Sequence, residues 1–185
     1  MALDTSAPVL VAGGGGFIGG ALAAELLARG FTDVRVADVK PTDRWYQVHD
    51  AVDNRVLDLS EKADAYEAAE GRQYIFNLAA DMGGMGFIEN NKAACMLSVL
   101  PTTNLLMAAR DQGAERLFYA SSACVYPGAR QDSPEIVALR EAEAYPADPE
   151  DGYGWEKLFG ERMARHFSED YDLKARIARY HNVYG

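Results

Sequence analysis

A chain of 185 residues, 49% hydrophobic and 25% charged, is long enough to bury one core and too apolar to be disordered. Eighteen basic against 28 acidic side chains leave a net charge of −10. That surface repels phosphate backbones and anionic lipid, so nucleic acid and membranes are poor partners. Two cysteines, Cys95 and Cys124, are too few for a disulfide framework and fit a reducing compartment. No apolar run approaches the ~20 residues that span a bilayer, and residues 1–7 lack a secretory leader pattern. The expectation is a cytoplasmic protein with one domain over 1–185.

Short apolar runs alternate with helical patterns along the chain. Strands are predicted at 8–12, 34–37, 55–57, 74–79, 116–121 and 174–180. Helices are predicted at 16–29, stopped by Gly30, and at 60–69, capped by Ser60. A long helix over 88–110 contains Pro101, where a kink or break is expected. Residues 127–149 are polar and punctuated by proline, which predicts a long loop, and Asp148-Pro149 starts a helix that runs to about Tyr171. This alternation predicts an α/β fold: a Rossmann-type doubly wound parallel sheet in the order 3-2-1-4-5-6. The chain ends at Gly185, directly after the last strand, so a C-terminal substrate domain is expected to be absent from it.

Between the first strand and the first helix lies Gly13-Gly14-Gly15-Gly16-Phe17-Ile18-Gly19. It reads as Gly14-x-Gly16-x-x-Gly19 or as Gly13-x-x-Gly16-x-x-Gly19. In either register the missing side chains permit a tight turn and let backbone approach a pyrophosphate at a helix N-terminus. A glycine run alone is also what a flexible turn looks like. Its context adds weight, because Asp38 ends the second strand ~20 residues on, where a carboxylate accepts from ribose hydroxyls and repels a 2′-phosphate. NAD is therefore preferred, with Lys40 and Arg44 keeping NADP open. Asp58-Leu59 follows the third strand, either beside an adenine or as a plain helix cap.

Ser121 and Ser122 end the fifth strand, on the edge where open α/β sheets bind ligands. Tyr153 and Lys157 are four apart at the start of the next helix and share a face. A lysine ammonium beside a tyrosine favours the phenolate, which can then take a proton from a sugar hydroxyl. Cys124 reads either as a small buried hydrophobe or as a proton-transfer thiol. No metal-ligand spacing stands out.

Four stretches carry a resemblance: Asn77-Leu-Ala-Ala-Asp-Met-Gly-Gly-Met-Gly-Phe-Ile88, Tyr119-Ala-Ser-Ser-Ala-Cys-Val-Tyr-Pro127, Asp151-Gly-Tyr-Gly-Trp-Glu-Lys-Leu158 and Arg179-Tyr-His-Asn-Val-Tyr-Gly185. The chain resembles the extended short-chain dehydrogenase/reductase superfamily of NAD-dependent epimerases and dehydratases, and within it the GDP-mannose 3,5-epimerases. The resemblance implies a nucleotide-sugar substrate, a GDP-hexose, and a homodimer formed through the helices of 88–110 and 151–171. It implies Tyr153 as the base for transient oxidation at the sugar C4, Lys157 tuning it, Ser122 positioning the C4 oxygen, and Cys124 exchanging protons at C3 and C5. Gly83, Ala123 and Asn182 are implied substrate contacts. Gly13, Gly16, Phe17, Ile18, Gly19, Asp38, Asp58, Leu59 and Ala79 are implied NAD contacts, together with Tyr153 and Lys157. The second proton-transfer group of these epimerases lies in a segment beyond this chain. The related 4,6-dehydratases carry an acid just after the strand-five hydroxyl, and Ser122-Ala123-Cys124 has none. A 4-epimerase, which needs only the serine, tyrosine and lysine, is the alternative reading. A non-catalytic NAD-binding fragment is a third.

Overall fold

A computed structural model describes residues 4–81, 85–128 and 138–184. Six strands, β1 (Val9–Ala12), β2 (Val34–Asp38), β3 (Asp53–Val56), β4 (Tyr74–Asn77), β5 (Arg116–Ser122) and β6 (Lys174–Tyr180), form one sheet in the order β3-β2-β1-β4-β5-β6. Every pairing is parallel, as the alternation of elements predicts. Six helices cover the two faces: α1 (Phe17–Ala28), α2 (Lys62–Ala69), α3 (Met85–Asn90), α4 (Lys92–Leu97), α5 (Val99–Asp111) and α6 (Asp151–Tyr171).

Strand β1 shows why the sheet needs helices on both sides. All four of its residues are buried, and its side chains alternate between two cores. Leu10 and Ala12 join Ile75, Leu105, Leu117 and Tyr119 on one face. Val9 and Val11 join Leu26, Val34, Val36 and Tyr74 on the other.

Strand β3 starts two residues before the predicted 55–57 and β4 stops two residues short of 79, and four larger departures from the sequence reading stand beside these. The predicted helix of 88–110 is three helices, broken at Asn91 and Ser98 rather than at Pro101. Pro101 instead sits in the first turn of α5, where a helix needs no N–H from it. Ser60 does not cap α2. Glu61 is the N-cap, and the Ser60 hydroxyl donates to Asp58 at 2.6 Å. Helix α6 begins at Asp151, two residues after Pro149. Finally, Lys92–Asp111 has the length and mean hydropathy, 1.2, of a membrane-crossing helix, although no such run was expected. In the fold this segment is divided at Ser98, and α5 packs against α2 and α6, so its apolar residues serve the core of the domain.

Because all strands run the same way, Ala12, Asp38, Val56, Asn77, Ser122 and Tyr180 end on one edge. β1 lies between β2 and β4, where successive connections leave in opposite directions. A crevice opens at such a switch point, and ligands bind there.

Candidate active site

The glycine turn occupies that crevice, and its glycines are set by close packing. Gly13 has φ +81°, and a Cβ there would lie 2.7 Å from the Ala79 nitrogen. A Cβ on Gly14 would stand 2.1 Å from Val36 Cγ1, and one on Gly19 would stand 2.4 Å from the Gly13 oxygen. Helix α1 therefore sits hard against the turn. Gly16 is its N-cap, and no side chain caps the helix. The open first turn, with its N–H groups and positive dipole end, fits an anionic pyrophosphate.

Asp38 stands beside the turn, 7% exposed, as its place at the end of β2 predicts. Its Oδ2 accepts from the Gly15 N–H and its Oδ1 from the Lys40 N–H, both at 3.0 Å. Each oxygen retains a lone pair for a ribose hydroxyl. Trp45 covers this corner, a role that the sequence reading missed. Its indole Nε1 donates to the Lys40 carbonyl at 2.7 Å, and a Cβ on Gly15 would fall 2.6 Å from its ring. The neighbouring Tyr46 ring meets Phe17 edge-on at 5.9 Å.

The second half of the site is built by the glycines on either side of Tyr153. A Cβ on Gly154 would lie 2.3 Å from the Cys124 carbonyl oxygen, and one on Gly152 would lie 2.8 Å from the Lys92 oxygen. Their absence lets the first turn of α6 press against the 3-10 turn at Ala123–Val125 and against α4. Tyr153 is thereby buried among Ile88, Cys95, Phe87 and Cys124. The Ser122 hydroxyl accepts from the Cys124 N–H at 3.2 Å and lies near enough to the Tyr153 phenol to favour its ionised form. Lys157 Nζ lies 5.6 Å from the Tyr153 ring centre and 5.1 Å from that of Tyr119. Ser122, Cys124, Tyr153 and Lys157 thus converge from β5 and α6, as expected.

The expected lowering of the phenol does not hold in this structure. Burial pushes the Tyr153 phenol well up and outweighs the Ser122 contact, while nearby Glu156 pushes the same way. Burial pushes the Cys124 thiol up as well, against the Ser122 contact. Both groups are neutral proton carriers as the structure stands.

Residues 9–185 match the NAD dependent epimerase/dehydratase family. The chain belongs to this family. NAD is the cofactor of this family, and the glycine turn with Asp38 is the part of the fold that suits it. GDP-mannose 3,5-epimerase of Arabidopsis thaliana is 39% identical over 178 residues, which are 96% of this chain and 47% of the relative. The chain thus spans about half the length of the curated relatives it matches. The NAD complex of UDP-glucose 4-epimerase from Thermus thermophilus superposes with a TM-score of 0.81 at 29% identity, over 96% of this chain and 56% of that one. UDP-glucose 4-epimerase from Thermotoga maritima, at 22% identity and a TM-score of 0.82, covers 96% and 56% and shows the same fold.

Within this domain the remaining predicted contacts fall in different settings. The Ala79 N–H donates to Asn77 Oδ1 at 3.1 Å, beside the glycine turn. Asp58 Oδ1 accepts from the Ser60 N–H and hydroxyl, so one of its oxygens closes the turn that leads into α2 rather than capping the helix. The Leu59 side chain packs into the core, so any contact of this residue with an adenine falls to its backbone. Ile18 is half-buried on α1, Ala123 opens the 3-10 turn after β5, and Asn182 is exposed beyond β6. Gly83 lies outside the described residues.

Two further groups at the site went unread in the sequence. Glu156, next to Lys157, is 2% exposed. Arg179 on β6 binds Glu161 through two nitrogens at 2.8 and 2.7 Å, and Glu161 also accepts from the Ser121 hydroxyl at 2.6 Å. This triangle fixes the end of β5, and with it Ser122, against α6.

Proposed function

We propose that this chain is the NAD-binding half of a nucleotide-sugar epimerase of the GDP-mannose 3,5-epimerase kind. The observation that carries the reading is Cys124, half-buried beside Tyr153 with its N–H donating to Ser122 just beyond the end of β5. NAD supplies a reversible hydride acceptor for the sugar C4 carbinol. Tyr153 takes the C4 hydroxyl proton as its phenolate, so bound NAD and the Lys157 ammonium have to bring the phenol down from where burial alone holds it, while Ser122 holds the same oxygen. The ketone at C4 acidifies the C3 and C5 protons, and on this reading Cys124 exchanges one of them, as thiolate to remove a proton and as thiol to return one. Asp38 takes the adenosine ribose. Asp58 and the backbone of Leu59 lie toward the adenine, and Asn182 and Ala123 toward the sugar.

The substrate is a GDP-hexose on this reading. The work is done in the cytoplasm, where the two unpaired thiols stay reduced. The active form is a homodimer joined through the apolar face of α4 and α6, where Met96, Leu97, Trp155 and Phe159 stand exposed.

Incubating the full-length protein with NAD and GDP-mannose in deuterated water tests the reading. Deuterium is expected at C3 and C5 of the recovered sugar, and its absence from both positions rejects 3,5-epimerisation. The likeness to UDP-glucose 4-epimerases supports a second reading, in which only C4 inverts and Cys124 is structural. Under that reading Cys124→Ala keeps most of the turnover; under the first it loses nearly all.

A further inference from the structure

Glu156 is a buried acid for which the proposed chemistry has no use. Its side chain is 0% exposed and that of Lys157 is 3% exposed, and Glu156 Oε2 stands 3.5 Å from Lys157 Nζ. Residues adjacent on a helix point about 100° apart, so such a pair is not given by helix geometry. It is made by β5 beneath. The Tyr119 hydroxyl donates to Glu156 Oε1 at 3.2 Å, and the Tyr119 ring faces Lys157. Room for that hydroxyl comes from Gly160, where a Cβ would lie 2.2 Å from it. Glu156 Oε2 has no hydrogen-bond partner among the described residues, which leaves it aimed at the ammonium. No other carboxylate among the described residues pairs with Lys157.

We propose that Glu156 is a positioning residue: it is the counter-ion that keeps Lys157 cationic within the site, anchored from β5 by Tyr119. The proposal rests on the reading of Lys157 as the cation behind Tyr153. An ammonium stripped of water loses its proton readily, and a carboxylate at this range opposes that loss. Burial pushes the Lys157 ammonium down and the Glu156 carboxyl up, and each group restores the charge of the other. The titratable groups facing the pair are Tyr153 on α6 itself, Tyr119 on β5 and Cys95 on α4. Glu156 also pushes the Tyr153 phenol up, behind the larger effect of burial.

The test is an NMR titration of the Lys157 side chain in the chain labelled at lysine ε-carbons, with its signal assigned by its loss in Lys157→Met. In Glu156→Gln, which keeps shape and removes charge, the Lys157 midpoint is expected to fall by about one pH unit or more. Glu156→Asp is expected to recover part of that shift. A folded Glu156→Gln protein with an unchanged midpoint overturns the proposal. Should Glu156→Gln fail to fold, Tyr119→Phe removes only the anchoring hydroxyl. A smaller fall is expected there, and an unchanged midpoint is again fatal. The titration needs no substrate, so its failure is distinct from a failure of deuterium incorporation.

Discussion

The carboxylate of Asp38 is held by backbone from two directions, through the Gly15 N–H and the Lys40 N–H, each at 3.0 Å. It ties the glycine turn to the segment after β2 before any cofactor is present. Replacing it by asparagine leaves one of those N–H groups facing an amide NH2. Charge-assisted hydrogen bonds contribute about 1.5–3 kcal/mol, so Asp38→Asn is expected to weaken NAD binding at least ~10-fold. Calorimetric titration of the chain with NAD measures this. An affinity within about twofold of the parent would mean that the carboxylate does not serve the ribose.

Trp45 and Gly15 make the second test of the same corner. An alanine at 15 drives its Cβ into the indole, at 2.6 Å. Overpacking of this kind costs about 1–3 kcal/mol. Gly15→Ala is expected to lower the unfolding free energy from urea denaturation by that amount, and Gly15→Ala in a Trp45→Leu background to lose less. Equal losses in the two backgrounds would show that the indole is free to move aside.

Strand positions, their order and the convergence of Ser122, Tyr153 and Lys157 were legible because they follow from local periodicity and a fixed topology. The breaks at Asn91 and Ser98 were not, because neither residue is a strong breaker by propensity, whereas Pro101, which is one, fits within the first turn of a helix. Trp45 and Glu156 were unreadable for a different reason. Their roles depend on what they meet across the fold: Gly15 for one, and Tyr119 with Gly160 for the other. A glutamate beside a lysine on a helix reads as solvated, and only the absent side chain at Gly160 hints that something packs beneath it.

Cys124 predicts a pH dependence. Its thiol is pushed up by burial, so the folded chain binds that proton more tightly than the unfolded chain does. The stabilisation is complete below the unfolded thiol value of ~8.5 and is lost as pH rises through the higher folded value. Between pH 8 and 10 the parent is therefore expected to lose more thermal stability than Cys124→Ala does. Parallel curves for the two proteins would contradict a raised thiol. Iodoacetamide at neutral pH is expected to modify Cys124 slowly, and the fully buried Cys95 more slowly still.

The Arg179–Glu161–Ser121 triangle sets the stability of the strand end that presents Ser122. Side-chain exposures of 16% and 9% make the ion pair a largely buried one. Removing one partner strands the other, at a cost of about 3–5 kcal/mol. Glu161→Gln is expected to show that loss by urea denaturation. Arg179→Met in the Glu161→Gln background is expected to regain part of it, because neither charge is then left alone. A cost below ~1 kcal/mol for the single change would place the pair among weak surface bridges.

The proposed homodimer gives its own test at the apolar face of α4 and α6. Trp155 and Phe159 are exposed at 47% and 51%, four apart on α6, with Met96 at 50% and Leu97 at 61% on α4 beside them. Side chains of this kind in one patch mark a contact surface, and large aromatics at its centre carry most of the energy of such a contact. A net charge of −10 on each copy opposes association, so apolar burial has to overcome that repulsion. Raising ionic strength is therefore expected to tighten the dimer, the opposite of what salt does to a dimer held by opposite charges. Trp155→Glu is expected to convert the chain to a monomer of 20.2 kDa by light scattering, while NAD binding persists because the cofactor crevice lies at the strand ends. A parent chain that is monomeric at high salt and high concentration would remove this face from the interface.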